Sequence, residues 1–212
     1  RPWYEKVAGT PADLNRFNRQ AVAAIREVDS ATPIVIESGL YATPWAFEYL
    51  EPVDDANTLY SFHMYEPYEY TTQRINKGRF GYPGVVPVGG KQQPREWNRA
   101  ELQKFLQPVV DWSRRYKIAP TRIVVGEFGV DRRTSGAAAY LADLVSIFNE
   151  QGWHWAFYAF REDTWDAMDY ELGSAPLGGA YWNAVEAGEN PEPPRKPNPL
   201  FEVLRREFRP RR

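Results

Sequence analysis

The chain has 212 residues, enough for one sizeable domain, and its 43% hydrophobic and 25% charged residues exclude a largely disordered or fibrous protein. Lys+Arg at 26 against Asp+Glu at 28 leave a formal charge of -2, which gives no electrostatic footprint for nucleic acid or an anionic membrane. Without cysteine, and with only His63 and His154, the chain has no disulfide framework, no thiol nucleophile and no thiolate or multi-histidine zinc site. Composition leaves only an all-oxygen metal site open, and neither a metal nor a cofactor is expected.

No apolar run approaches the roughly 18 residues of a membrane helix, and Arg1-Pro2-Trp3-Tyr4-Glu5 has no signal-type apolar core. A start on Arg1 rather than Met is expected of a piece of a longer protein, so the compartment stays open and a secreted parent is compatible with it. Aromatic residues are abundant at 15%, with eight Trp and thirteen Tyr. Most fall outside the segments that read as core helix.

In chain order, Thr10-Pro11-Ala12-Asp13 predicts a helix start, with a hydroxyl cap, Pro at the first helical position and an acid in the first turn. Leu14, Phe17, Ala21, Ala24, Ile25 and Val28 then recur at helical spacing on one face. Ile34-Val35-Ile36 predicts a short buried strand ending at Glu37, followed by a short helix from Thr43-Pro44 to Leu50. A second strand is expected from Thr58 through His63 to Tyr65. Residues 66–97, rich in Tyr, Gly and Pro, read as a long irregular stretch.

Asn98, with Glu101 three residues on, caps the next helix, whose stripe is Leu102, Phe105, Leu106 and Val109 and which Pro108 should bend. Arg122-Ile123-Val124-Val125 is the third strand, ending in Gly126-Glu127-Phe128-Gly129, with Glu127 one residue after it. A helix capped by Ser135 follows, with Tyr140, Leu141, Leu144, Val145 and Phe148 inward and Gly152 as its stop. Trp153 to Tyr158 is the fourth strand. After a Gly/Pro-rich excursion over 162–197, with Pro191 to Pro197 as a stiff connector, Asn198-Pro199 opens a last helix that points Leu200, Phe201, Leu204 and Phe208 inward.

Short apolar strands alternating with amphipathic helices predict an α/β fold of parallel strands joined by right-handed crossovers, and only four strands are found. Glu37, His63, Tyr65, Glu127 and Tyr158 all fall at or near strand C-termini, the end at which parallel α/β folds bind ligands. Each residue has a plain alternative: Glu127 as a solvated or capping acid, His63 and Tyr65 as satisfied structural groups, Glu37, Glu66, Glu162 and Asp163 as cleft or loop acids. His63 and Tyr65 share one side of an extended strand. Trp155 and Tyr158, with Trp165 and Asp166 beyond them, have the makings of a sugar platform and its polar edge, because aromatic faces pack on the C–H faces of pyranose rings. Period-two alternation leaves open whether Trp153, Trp155 and Phe157 face the interior or the helices.

Ser61-Phe62-His63-Met64-Tyr65-Glu66-Pro67 resembles the His-x-Tyr motif, and Ile123 to Gly129 the nucleophile motif, of glycoside hydrolase family 5. The aromatic last strand resembles that family's eighth. The resemblance spans nearly the whole of 1–212 but implies only strands five to eight of a (β/α)8 barrel, with strands one to four absent. It implies a cellulase-like endo-β-glucanase working by retaining double displacement, with Glu127 as nucleophile, Tyr65 donating a hydrogen bond to it, and His63 lining the subsite. Trp155, Tyr158, Trp165, Asp166 and Glu37 are implied to bind the β-linked saccharide. The Asn-Glu-Pro that carries the family's acid/base is not found, and Arg1-Pro2-Trp3 resembles the segment just after it, so the acid/base is expected from the missing half. Two other functions compete: a non-catalytic sugar-binding module, and a half-barrel that assembles with a second half-barrel chain or with itself.

Overall fold

The structure, a computed structural model, describes residues 2–87, 93–161 and 166–208. Its helices are α1 (Pro2–Val7), α2 (Leu14–Val28), α3 (Arg99–Tyr116), α4 (Ala137–Gln151), α5 (Gly179–Glu186) and α6 (Pro199–Glu207). Its strands are β1 (Ile34–Glu37), β2 (Thr58–Met64), β3 (Gly84–Val86), β4 (Arg95–Trp97), β5 (Ile123–Phe128) and β6 (His154–Trp155). Shorter helical turns, such as Pro44–Tyr49, lie between them. Among the described residues no helix is long and apolar enough to cross a membrane. The chain divides into two compact units, the first built from residues up to 64, 103–128 and 148–156, the second from 65–102, 129–147 and 157 onwards.

The first unit holds a parallel sheet in the order β1-β2-β5-β6, as the alternation of strands and helices requires. The β-branched runs Ile34-Val35-Ile36 and Ile123-Val124-Val125 suit a pleated, packed surface. One face of the sheet buries Ile36, Tyr60, Phe62, Met64, Ile123 and Val125. Against it packs an aromatic core of edge-to-face pairs: Phe47 with Phe62 (5.9 Å) and Trp112 (5.2 Å), Phe62 with Trp153 (5.4 Å), and Phe128 with Phe148 (5.2 Å). The indole N–H of Trp112 donates to the Leu50 carbonyl at 2.7 Å, so this buried indole leaves no polar atom unpaired. Trp153 packs on Phe62 and Trp155 on Phe128 in this unit, while Phe157 belongs to the second unit, where it stacks on Tyr170 at 6.0 Å. The last strand is shorter than expected, two residues rather than six.

At the N-terminal end of the sheet, Asp55 gathers Arg26 Nη2 (2.8 Å) and the Thr58 hydroxyl (2.6 Å), while Arg122 donates to the carbonyls of Thr58 and Asp55, each at 2.8 Å. The Arg26 guanidinium, followed by the Thr58 hydroxyl, pulls the Asp55 carboxyl down to about 2. These bonds tie α2 and the turn before β5 to the start of β2.

Two expectations for α2 need correction. The helix is capped by Asp13, not Thr10: the carboxylate accepts from the Gly9 and Arg16 N–H groups, and those bonds hold its pKa below the ordinary range. The Thr10 hydroxyl instead donates back to the Val7 carbonyl. The apolar stripe is also largely uncovered, since Asn18 and Val22 are the buried positions while Phe17 is 60% and Val28 92% exposed.

The second unit contains a sheet that the irregular reading of 66–97 missed. Strands β3 and β4 pair antiparallel with Gly84 opposite Trp97. Three tyrosines form its centre, Tyr70, Tyr82 and Tyr140, with ring centroids 5.4–6.1 Å apart. Each hydroxyl has a partner: Ser135 O at 3.0 Å, Asp143 Oδ2 at 2.6 Å and Glu66 O at 2.7 Å respectively. Burial pushes all three hydroxyls above their ordinary pKa. Much of the tyrosine richness is therefore core.

Helix α3 starts as expected, with the Asn98 side chain accepting from the Glu101 N–H at 3.1 Å. Helix α4 follows Gly136, whose φ of +81° suits glycine, rather than Ser135, and its five-residue stripe is buried as read. Gly152 closes it at φ +71°. Asn198 caps α6 by accepting from Leu200 and Phe201, but Phe208 lies just past the helix and is exposed rather than inward.

Candidate active site

Three neighbouring strands of the first unit bring Glu37, Ser61, His63, Gly126 and Glu127 together at their C-terminal ends. Glu37 is the last residue of β1 and lies opposite Ser61 of β2. Between β2 and β5 the register is regular up to Phe62 opposite Val125, then shifts so that His63 lies opposite Glu127, leaving Gly126 as the extra residue. The consequence is chemical. Strict period-two alternation from Ile123 and Val125 would turn Glu127 to the helix-covered face; the inserted residue re-aims it to the face of His63. Glu127 therefore lies within β5, not one residue after it.

Gly126 gives room to the neighbouring Ser61 hydroxyl. A Cβ on Gly126 would collide with Ser61 Oγ and lie 3.5 Å from Glu37 Oε1 and 3.6 Å from His63 Cδ2. Around this close approach, Glu37 Oε1 receives the Ser61 hydroxyl at 3.3 Å and meets His63 Nε2 at 2.8 Å. The other ring nitrogen, Nδ1, faces Glu127 Oε2 at 3.6 Å, beyond hydrogen-bond length. The two carboxylates are accessible, at 49% for Glu37 and 39% for Glu127, while the imidazole between them is 21% exposed. A reachable carboxylate, an imidazole beside it and an acid beyond that form a set able to attack an electrophilic carbon.

The remaining expected site residues belong to other settings. Trp155, half-buried in the first unit, packs edge-to-face on Phe128 at 5.7 Å and donates its indole N–H to Asn149 Oδ1 at 3.1 Å. Tyr65 follows the end of β2, since the strand stops at Met64, and belongs to the second unit with Tyr158 and Asp166. Its carbonyl accepts the Thr71 hydroxyl at 2.6 Å. The Tyr158 carbonyl lies 2.8 Å from where a Cβ on Gly129 would sit, so that glycine allows a close backbone approach. Asp166 pairs at 2.5 Å with the fully buried guanidinium of Arg132. Trp165, Glu162 and Asp163 lie outside the described residues. Of the other acids, Glu66 is engaged by the Tyr68 N–H at 2.9 Å, and burial pushes its carboxyl upward. Among the described residues no group of three or more His, Cys, Asp or Glu is arranged to hold a metal ion.

Sequence reasoning missed Ser61 and Gly126. The available signal was a glycine interrupting an otherwise β-branched strand immediately before an acid, which marks a bulge or a close backbone approach.

A parallel α/β sheet with an accessible Glu beside a His at its C-terminal edge has the layout of an enzyme site. The model of the family "Cellulase (glycosyl hydrolase family 5)" matches residues 2–164, and the chain belongs to that family. Endoglucanase C of Acetivibrio thermocellus is 27% identical, over 81% of this chain and 50% of its own length, and Endoglucanase C307 of Clostridium sp. strain F1 gives the same values. Among solved structures, a hyperthermophilic endo-β-1,4-glucanase in complex with substrate superimposes with a TM-score of 0.58 at 23% identity, over 75% of this chain and 51% of the other. Cel5A of Thermotoga maritima in complex with mannotriose gives 0.58 at 21% identity, over 73% and 51%. The chain thus spans about half the length of the curated relatives it matches.

Proposed function

We propose that the chain is the nucleophile-bearing half of a retaining endo-β-glucanase: strands five to eight of a (β/α)8 barrel, taking a β-linked oligo- or polysaccharide. The observation that carries this reading is the register shift between β2 and β5, which turns Glu127 onto the face of His63 at the C-terminal end of a parallel sheet. In the proposed reaction a Glu127 carboxylate oxygen attacks the anomeric carbon. The glycosidic C–O bond breaks, the leaving oxygen takes a proton from an acid supplied by the other half, and water then releases the sugar from Glu127. His63 lines this subsite, and Tyr65 enters through the His-x-Tyr motif. Trp155, Tyr158, Trp165 and Asp166 are the proposed sugar contacts, from their spacing on and after the last strand.

The test is trapping with a 2-fluoro glycoside in a polypeptide that contains both halves. Mass spectrometry of the digest is expected to find the sugar on Glu127, and the Glu127→Gln variant is expected to form no adduct while still binding oligosaccharide. An adduct on another carboxylate would overturn the assignment.

The half-barrel part of the reading has its own support. In the first unit the sheet ends at β1, where Val35 is 53% exposed, and the apolar side of α2 is uncovered at Phe17, Ile25 and Val28. A second half-barrel, from another chain or another copy, would cover such surfaces.

A further inference from the structure

We propose that Glu37 is a positioning residue: it holds His63 in the Nε2–H tautomer and so presents an unprotonated Nδ1 to Glu127. The inference rests on the reading of Glu127 as nucleophile and gives the neighbouring acid a role in that chemistry.

An ionised carboxylate only accepts hydrogen bonds, so at the 2.8 Å contact between Glu37 Oε1 and His63 Nε2 the proton sits on the ring nitrogen. A neutral imidazole carries one N–H, and this contact uses it. In that neutral ring Nδ1 carries the lone pair, with Glu127 Oε2 3.6 Å away. Two acceptors at that separation form no hydrogen bond with each other. The opposite tautomer would put N–H on the Glu127 side, where it would hold electron density that attack on carbon requires.

Three further features keep Glu37 in this role. It lies opposite Ser61 in the strand pairing, one step from His63 along the same edge. The Ser61 hydroxyl donates to the same Oε1 at 3.3 Å, fixing the carboxylate from a second direction. Gly126 leaves room for that hydroxyl, which a Cβ there would meet. Glu37 thus acts on the nucleophile through His63, as the outer partner of a metal-bound or catalytic histidine sets that ring's tautomer and orientation.

The direct test is nitrogen-15 NMR of the imidazoles in the 212-residue chain at neutral pH. The chain has two histidines, and a His154→Gln variant assigns them. In the wild type, His63 is expected as the Nε2–H tautomer. Glu37→Ala is expected to shift it toward the tautomer mixture of a free imidazole. Glu37→Gln, whose amide oxygen still accepts from Nε2–H, is expected to restore most of the wild-type signature. A wild-type His63 in the Nδ1–H form, or a spectrum unchanged by Glu37→Ala, would overturn the proposal.

The kinetic counterpart uses the polypeptide with both halves. Glu37→Ala is expected to slow formation of the fluorosugar adduct about 10–100-fold, and to have no further effect once His63 is Ala. An equal loss in the His63→Ala background would mean that Glu37 acts independently of His63 and would refute the role. If no adduct forms on Glu127 in the wild type, the glycosidase reading fails, while the tautomer measurement still decides whether Glu37 sets His63.

Discussion

His63 lies opposite Glu127, although its neighbour Phe62 lies opposite Val125. That single skipped residue, Gly126, decides which face of the sheet carries the carboxylate. The first prediction follows from it. Gly126→Ala places a Cβ against Ser61 Oγ and forces the backbone or the hydroxyl to move, so the variant is expected to lose about 1–3 kcal/mol of stability. Adding Ser61→Ala removes the colliding oxygen and is expected to recover part of the loss. Thermal unfolding of the two variants checks this; an Ala at 126 as stable as Gly would mean the shift is not sterically enforced.

A second prediction concerns the other end of the sheet. Bonds to Arg26 and Thr58 hold the Asp55 carboxyl down to about 2, against an ordinary value near 4. A folded-state pKa below the unfolded one adds stability that is fully present above about pH 4 and fades as pH falls toward 2. Asp55→Asn is therefore expected to lower Tm by several degrees at pH 7, with the gap to wild type closing between about pH 4 and pH 2. A gap of constant size over that range would show that the charge of Asp55 contributes nothing.

The third prediction addresses Arg132. Its buried guanidinium holds Asp166 Oδ2 at 2.5 Å and donates to the carbonyls of Asp166, Gly173 and Ala175, so one side chain closes residues 166–175 of the second unit. Arg132→Ala removes the donor to the Gly173 and Ala175 carbonyls and leaves Asp166 with only the longer Arg133 pair at 3.9 Å, and is expected to cost about 3–5 kcal/mol. Lys reaches fewer of them and is expected to rescue only part. Denaturant unfolding of the three proteins tests the order.

How much of this was legible beforehand follows from the range of the forces involved. The parallel strands, the Asn98 and Asn198 caps and the inward stripe from Tyr140 to Phe148 are written in local periodicity and capping chemistry, and the structure keeps them. The family was legible because Phe62-His63-Met64-Tyr65 and Gly126-Glu127-Phe128-Gly129 are short, contiguous motifs. What stayed hidden depends on partners distant in sequence. Arg132 finds its acceptors 34–43 residues away, and Asp55 finds Arg26 and Arg122 on other elements. The stripe of α2 illustrates the converse: Phe17 and Val28 have the spacing of a buried face, yet the described residues leave them exposed. Spacing records that a side chain needs cover, and the cover need not lie in the same 212 residues.

The fourth prediction is kinetic and follows from the proposed division of labour. With the acid/base on the other half, the 212-residue chain alone is expected to turn over β-glucan far below the rate of the joined halves, because a placed general acid contributes about 10²–10⁴ in rate. An aryl glycoside with a good leaving group needs less protonation and should lose much less. Comparable turnover of glucan and aryl substrate by the isolated chain would mean that an acid is already present in it, and Glu37→Gln would be the first variant to examine.

The last prediction concerns the uncovered face of the first unit. Phe17, Ile25 and Val28 lie on one side of α2, each at least 42% exposed, and Val35 on β1 is 53% exposed. Burying apolar area yields roughly 25 cal/mol per Å2, and an open strand edge adds unpaired backbone groups, so these surfaces favour association with the proposed second half-barrel. Mixing the chain with a separately produced front half of a family member is expected to give a complex in sedimentation velocity, and Phe17→Asp with Val28→Lys is expected to weaken it at least tenfold. Self-association of the chain without the front half, abolished by the same double variant, would identify a second copy as the occupant instead. A chain that stays monomeric in both experiments at micromolar concentration would show that the face needs no cover, and the half-barrel reading would fall with it.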